Sequence, residues 1–386
     1  MLNFEYENPT KVIFGSDALE KLGKEVLSFG RKVLLVYGGS SLKATGGYEK
    51  ITHALKSAQV EWLDFGGNRK PEIRAVAKAV TICKTQHIDV VIGIGGGCCM
   101  DLAKAIGRFA RYEKSVPECL EDEALIAAGE SLPVITIPTN PSSGSDYDPW
   151  CELVDSHTGK AYSLMNAWPA VAVLCPELSY SLNARQTAYG GATALIQLMS
   201  SYVARVENAS LPTAMLEGMV KTLISSIRKA IANPTDYDAR SNIMWCAACV
   251  TGGAAGCGKY IEWSSSPLAG MLERVAGLNY QQTMCIVYPS WLAEVYDANI
   301  PLFHQMAVNV WGLSPDGKTE KELAWMAVQK MTDFWKEIGI AESVKEYTDQ
   351  QFVLADFEPL IQRIHEIDGM KLLDEEAMRR ILFGCL

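Results

Sequence analysis

Residues 88–94 read IDVVIGI and run straight into Gly95-Gly96-Gly97, after which CCMDLAKAIGRFA (98–110) has the spacing of a helix. A β-branched apolar run, a turn of bare glycines and an amphipathic helix in succession make a βα unit, and few architectures are open to a chain of such units. More of them flank this one. KVLLVY (32–37), VEWLDF (60–65), LPVITIP (132–138) and AVAVL (170–174) read as strands, and YEKITHALKSA (48–58) and EIRAVAKAVTICKTQ (72–86) read as helices. Strand, helix and strand in repetition imply a parallel, doubly wound sheet.

After about residue 180 clear strands stop. Helical patterns cover 187–206, 212–232, 237–256, 267–276, 289–299, 319–337 and 372–383. The expected organisation is a dinucleotide-binding α/β domain over 1–180 and an all-helical domain over 181–386, with the active site in the cleft and the boundary within CPELSYSLNARQ (175–186). A length of 386 residues is ample for two cores. The net charge of −10 argues against a nucleic-acid or anionic-membrane partner. No apolar run approaches the roughly 20 residues that span a bilayer. The segment MLNFEYENPTKVIFG has no basic region leading into an apolar stretch, so a cytoplasmic setting with reduced thiols is expected for the eleven cysteines. Cys246 and Cys249 form a C-x-x-C in MWCAACV, but no second pair follows at metal-site spacing, which favours helix packing. The five histidines (53, 87, 157, 304 and 365) are scattered, none within four residues of another.

A glycine turn between a buried strand and a helix points backbone N–H groups at an anion, and the helix dipole adds to the field. The spacing here is G-x-G-G-G, not the G-x-G-x-x-G of the usual dinucleotide fingerprint. A tight turn in any α/β protein would look the same. The loop after KVLLVY says which dinucleotide to expect. An acid after the second strand of such a fold usually holds the ribose 2′-hydroxyl. Here Gly38, Gly39 and Ser40 offer N–H and hydroxyl donors, Lys43 lies close, and no acid is present. NADP is therefore expected over NAD.

Several ordered motifs together resemble the iron-containing alcohol dehydrogenases. GIGGGCCMDLAKAI (93–106) looks like their G-G-G-S-x-x-D-x-x-K-x-I segment, and ITIPTNPSSGSD (135–146) is similar to T-x-P-T-T-A-G-T-G-S-E. YGGSSLKATGGYEKI, NARQTAYGGATALIQ and VAGLNYQQTMCIVYP fall in the expected order, so the likeness covers nearly the whole chain, with the flavour of the NADPH-linked aldehyde reductase and butanol dehydrogenase branch. The resemblance implies a dehydroquinate synthase-like architecture and a homodimer joined by N-terminal strands. It implies that Gly95, Gly96 and Gly97 hold the pyrophosphate, with Asp101 beside the same turn. It also implies that Thr139, Ser143 and Ser145 line the cofactor and that Lys160 reaches the ribose and nicotinamide region. Cys98 stands where the family has Ser, and Ser143 where it has Thr. Both remain small. A cysteine at a helix N-terminus can also be acidic and oxidisable.

The departure that matters lies in AYGGATALIQLMSSYV (188–203). In the resembling family an Asp and a His one helical turn apart grip a divalent metal, and two later His complete the site. Here those positions read Thr193, Gln197, Gly270 and Tyr280, and residues 264–282 contain no His that a shifted alignment could supply. None of the four is a usual metal ligand. No bound metal is expected. Without a cation an alkoxide has no obvious stabiliser, so reduction of a small aldehyde or ketone is the expected direction. Tyr280 would donate a hydrogen bond or proton to the developing oxyanion, with Thr193 and Gln197 around the same space; Lys160 would lower the phenol's pKa, though nothing in the sequence places the two together. The alternatives are a catalytically inactive NADPH-binding sensor or scaffold, and a polyol synthase of the dehydroquinate synthase type. Trp245, Tyr260, Trp263, Tyr280 and Trp291 would suit either a bulky pocket wall or plain core packing.

Overall fold

The computed structural model describes every residue except Arg69 and Arg205. Six strands form one parallel sheet: β1 (Lys11–Phe14), β2 (Lys32–Tyr37), β3 (Glu61–Phe65), β4 (Val90–Gly95), β5 (Val134–Pro138) and β8 (Val171–Leu174). Their order is β1-β8-β5-β4-β2-β3. The run KVLLVY is apolar throughout because both its faces are covered. Val33 and Leu35 pack with Ile51 and Leu55 of the helix Gly47–Ser57, while Leu34 and Val36 pack with Val76, Val80 and Phe109 on the other side. From β2 the chain goes outward to β3, and from β4 it goes the opposite way to β5. β2 and β4 are neighbours in register, with Tyr37 opposite Ile94. That reversal is the topological switch point, beyond whose carboxyl ends such sheets bind ligands.

The chain divides into two compact units. One comprises Glu7–Leu182 with Pro234–Gly253, and the other Met1–Tyr6, Asn183–Asn233 and Ala254–Leu386. The chain passes from one unit to the other at Leu182/Asn183, and the helix Tyr237–Gly252 belongs to the sheet unit. Its Met244 and Ala248 pack on Ala172 and Leu174 of β8, so its apolar face is spent on the sheet.

Two further corrections apply. A hairpin of β6 (Cys151–Asp155) and β7 (Lys160–Leu164) lies where no strand was expected. The segment read as a helix over 289–299 belongs to a longer one, Tyr280–Val295, followed by a short turn and the helix Ile300–Asn309. In the helical unit a pair of two-residue strands, Glu366–Ile367 and Leu373–Asp374, also interrupts the helices. Among the described residues no helix is long and apolar enough to cross a membrane.

The helix Ala184–Tyr202 opens with a capping box between Asn183 and Gln186. Its Gly191 is explained by packing: a Cβ there would stand 2.5 Å from Ile227 Cγ1, on the helix Ser210–Ala232. Only a glycine lets the two helices come this close.

Candidate functional site

In the sheet unit the glycine turn joins β4 to the helix Gly97–Phe109. Gly95 takes φ +143, a conformation that L side chains rarely adopt, and Gly96 is the extended N-cap of the helix Gly97–Phe109. No side chain caps that helix. Cys99 N–H turns back to Gly96 O at 3.0 Å, which leaves the amides of Gly97 and Cys98 as the ones suited to an anion. The surrounding residues close in by direct contact. Thr139 N–H donates to Gly95 O at 2.8 Å. A Cβ on Gly97 would come within 2.6 Å of Ser143 Oγ, and one on Gly38 would meet Cys99 Sγ at 3.6 Å. Ser145 Oγ donates to Asp101 Oδ1 at 2.5 Å. Thus Gly38, Gly95, Gly97, Asp101, Thr139, Ser143 and Ser145 form one neighbourhood, with Gly96 and Cys98 in the turn itself. Where a Cβ on Gly39 would stand there is open space, and Ser40 precedes the short helix Ser41–Ala44 without a side-chain cap hydrogen bond.

Lys43 lies over the Tyr48 ring at 4.5 Å and the Tyr37 ring at 5.5 Å, with Asp64 at 3.7 Å. Asp64 also accepts from Tyr48 Oη at 2.9 Å. The acid nearest this loop therefore already has partners. Lys160 opens β7, exposed, its ammonium 4.4 Å from the centre of the Tyr162 ring. It belongs to the sheet unit and Tyr280 to the helical one.

Sequence reasoning passed over the support of this cradle. Lys104 is fully buried and donates to Asp148 Oδ1 (2.8 Å), Asp148 O (3.0 Å) and Trp150 O (2.8 Å). Thr251 Oγ1 donates to Asp148 Oδ2 at 2.7 Å. The lysine lies one helical turn past Asp101, a spacing that could have drawn attention to it. Burial pushes the Asp101 carboxyl up to about 7, against the pull of Lys104 and Ser145. Burial also raises Asp146 to about 7, and its Oδ2 has no partner. Cys98 is drawn down to about 7, chiefly by the Cys99 thiol and also by backbone amides. All eleven cysteines are free thiols; Cys246 is buried, Cys249 partly so, and burial raises both to about 12.

In the helical unit Thr193 and Gln197 share a helix face as their spacing requires, and both are buried, at 2% and 5% exposure. Thr193 Oγ1 donates back to Tyr189 O at 2.8 Å and lies beside the Cys285 thiol. Gln197 Oε1 is buried without a hydrogen-bond partner. Tyr280 is the first residue of its helix, behind the Asn279/Gln282 capping box, and is 39% exposed. Gly270 is an exposed position within the helix Ser265–Ala276.

The aromatic residues do not make one wall. Trp291 is buried and stacks on Tyr288 at 5.3 Å, whereas Tyr260 is exposed and Trp245 belongs to the sheet unit, against Phe14 and Tyr147. Among the described residues no group of three or more His, Cys, Asp and Glu side chains is placed to hold a metal ion.

Two family models match the chain: iron-containing alcohol dehydrogenase over residues 9–176, and the C-terminal part of the Fe-containing alcohol dehydrogenase family over 187–362. The chain is 30% identical to the NADPH-dependent aldehyde reductase YqhD of Escherichia coli, across 90% of this chain and 89% of that protein. It is 29% identical to NADH-dependent butanol dehydrogenase A of Clostridium acetobutylicum, with the same coverage. Among solved structures, the NADH-dependent butanol dehydrogenase A of Thermotoga maritima superposes with a TM-score of 0.88 at 25% identity, covering 100% of this chain and 99% of that one.

Proposed function

Since this chain belongs to the iron-containing alcohol dehydrogenase family, we propose that it is an NADP-linked reductase of small aldehydes or ketones that works without a bound metal. The observation that carries the reading is a contrast. The glycine turn of the sheet unit leads into a helix with no side-chain cap, while the positions that the resemblance gives to metal ligands hold a hydroxyl, an amide, a glycine and a phenol. That donor set does not suit the iron for which the family is named. No step is routed through a metal.

The glycine turn and the uncapped helix would hold the pyrophosphate, and Thr139, Ser143, Ser145 and Lys160 would line the rest of the dinucleotide. Nicotinamide in its reduced form supplies the hydride. Gly38, Gly39 and Ser40, with Lys43 close by and Asp64 already engaged, favour a 2′-phosphate over a bare 2′-hydroxyl. The relatives' names support either dinucleotide, NADPH for one and NADH for others. Tyr280 donates a hydrogen bond and then a proton to the carbonyl oxygen, and Thr193 and Gln197 supply neutral polar lining where a cation would otherwise be needed. We also propose a homodimer formed through β1, whose outer edge is unpaired and beside which Phe14 is partly exposed; a light-scattering mass of one chain would reject it.

The test is NADPH and NADH oxidation over a panel of small aldehydes, with and without EDTA. The expected result is turnover favouring NADPH, insensitive to the chelator and lowered roughly hundredfold by Tyr280→Phe, the scale of losing one oxyanion donor. Turnover abolished by EDTA, or none with any carbonyl, would reject the reading.

A further inference from the structure

Gly270 lies inside the helix Ser265–Ala276, and no heavy atom lies within 4 Å of where its Cβ would stand. Glycine is a poor helix former, and no backbone contact requires it here. Its missing side chain leaves open a groove of about 210 Å³ between this helix and Glu358–Ile364, with Met271, Leu360 and Ile364 as apolar walls. Arg274 and Arg363 line the same groove. Both are exposed, and neither side chain enters a hydrogen bond or ion pair among the described residues. Elsewhere on this unit arginines are engaged: Arg228 with Glu337, Arg379 with Glu358, Glu375 and Glu376, and Arg380 with Glu294. Two unpaired guanidinium groups on one apolar groove, in a chain of net charge −10, suit a ligand that is anionic at one end and apolar along its body. A guanidinium fork matches a carboxylate in particular.

We propose that this groove binds a short-chain carboxylate and, because Gly270 in its wall is also one of the positions that the resemblance gives to the reaction site, that the carbonyl substrate is an oxo acid, the second statement resting on the reductase reading above. In that reaction the aldehyde carbon gains a hydride from NADPH and its oxygen gains a proton, giving the hydroxy acid and NADP+. The carboxylate is unchanged and serves only for binding.

The binding half is tested by calorimetric titration of the full chain with hexanoate and with 1-hexanol. Hexanoate should bind at least tenfold more tightly, the scale of one charge-assisted hydrogen bond. The Arg274→Ala/Arg363→Ala double variant should lose that preference. Gly270→Leu puts a side chain into the groove while suiting the helix, so it should lose hexanoate without a fall in unfolding temperature. Equal affinity for the alcohol, no hexanoate binding, or binding unchanged in either variant would overturn the proposal. The substrate half is read with NADPH from kcat/KM for 6-oxohexanoate against hexanal. Preference for the oxo acid is expected, and equal values would overturn that half. If neither aldehyde is reduced, the reductase reading and the substrate half fall together, while calorimetry still decides the groove.

Discussion

Asp101 shows what a single residue contributes beside the glycine turn. Its carboxyl is pushed up to about 7 by burial, so near neutrality it is poised between a neutral acid and an anion. A folded value above the unfolded one means that the folded chain holds the proton. The stability cost is absent below the unfolded value near 3.8, grows as pH rises, and is complete above about 7. Dinucleotide binding should follow the same sign, since an ionised Asp101 repels the pyrophosphate. NADPH affinity is expected to fall roughly three- to tenfold between pH 6 and pH 8, and Asp101→Asn should flatten the profile. A fluorescence titration in which affinity rises with pH, or in which the variant keeps the slope, would contradict this. At this scale the sequence was informative about the cradle. The order of glycines and small hydroxylated residues marked where to look, although any tight turn of an α/β protein reads alike, and the structure brings Gly97 near Ser143 and Asp101 near Ser145. It was silent about Gln197 Oε1, because burial without a partner is a property of packing and not of residue type.

Among the elements, the helix Gly97–Phe109 is fastened by Lys104. Its ammonium lies in the interior and is satisfied by one carboxylate and two carbonyls across the segment 148–150. Removing one member of a buried pair strands the other. Lys104→Met should therefore cost about 3–5 kcal/mol in denaturant unfolding, and a loss below 1 kcal/mol would show the pair to be dispensable. The helix Tyr280–Val295 explains one misread boundary. The segment read as a helix over 289–299 begins at Pro289, a residue that favours a helix's first turn. Here it lies inside, and its missing N–H frees the carbonyl of Cys285, four residues earlier. Trp335 Nε1 donates to that carbonyl at 3.0 Å. The repair comes from residues far away in sequence, so no local pattern announces it. The true start is signalled by Asn279 and Gln282. The β6–β7 hairpin escaped because Lys160, Ala161 and Ser163 of β7 are exposed, which leaves little apolar periodicity to read. Continuous apolar strands such as β2 were legible for the opposite reason.

The whole molecule combines a sheet unit with an uncapped helix N-terminus behind its glycine turn and a helical unit in which Thr193, Gln197, Gly270 and Tyr280 are all neutral. Fold class and family were readable from ordered motifs over nearly the full length, and the family matches over 9–176 and 187–362 agree. The division into units was readable only in part, because the helix Tyr237–Gly252 joins the sheet through Met244 and Ala248, a long-range choice that its own composition does not record. Elemental analysis and NADPH titration on one purified sample, prepared without chelator, measure both halves of this description together. Saturable NADPH binding with no stoichiometric iron or zinc is the expected result. A full equivalent of either metal per chain, lost together with activity on dialysis against EDTA, would contradict it.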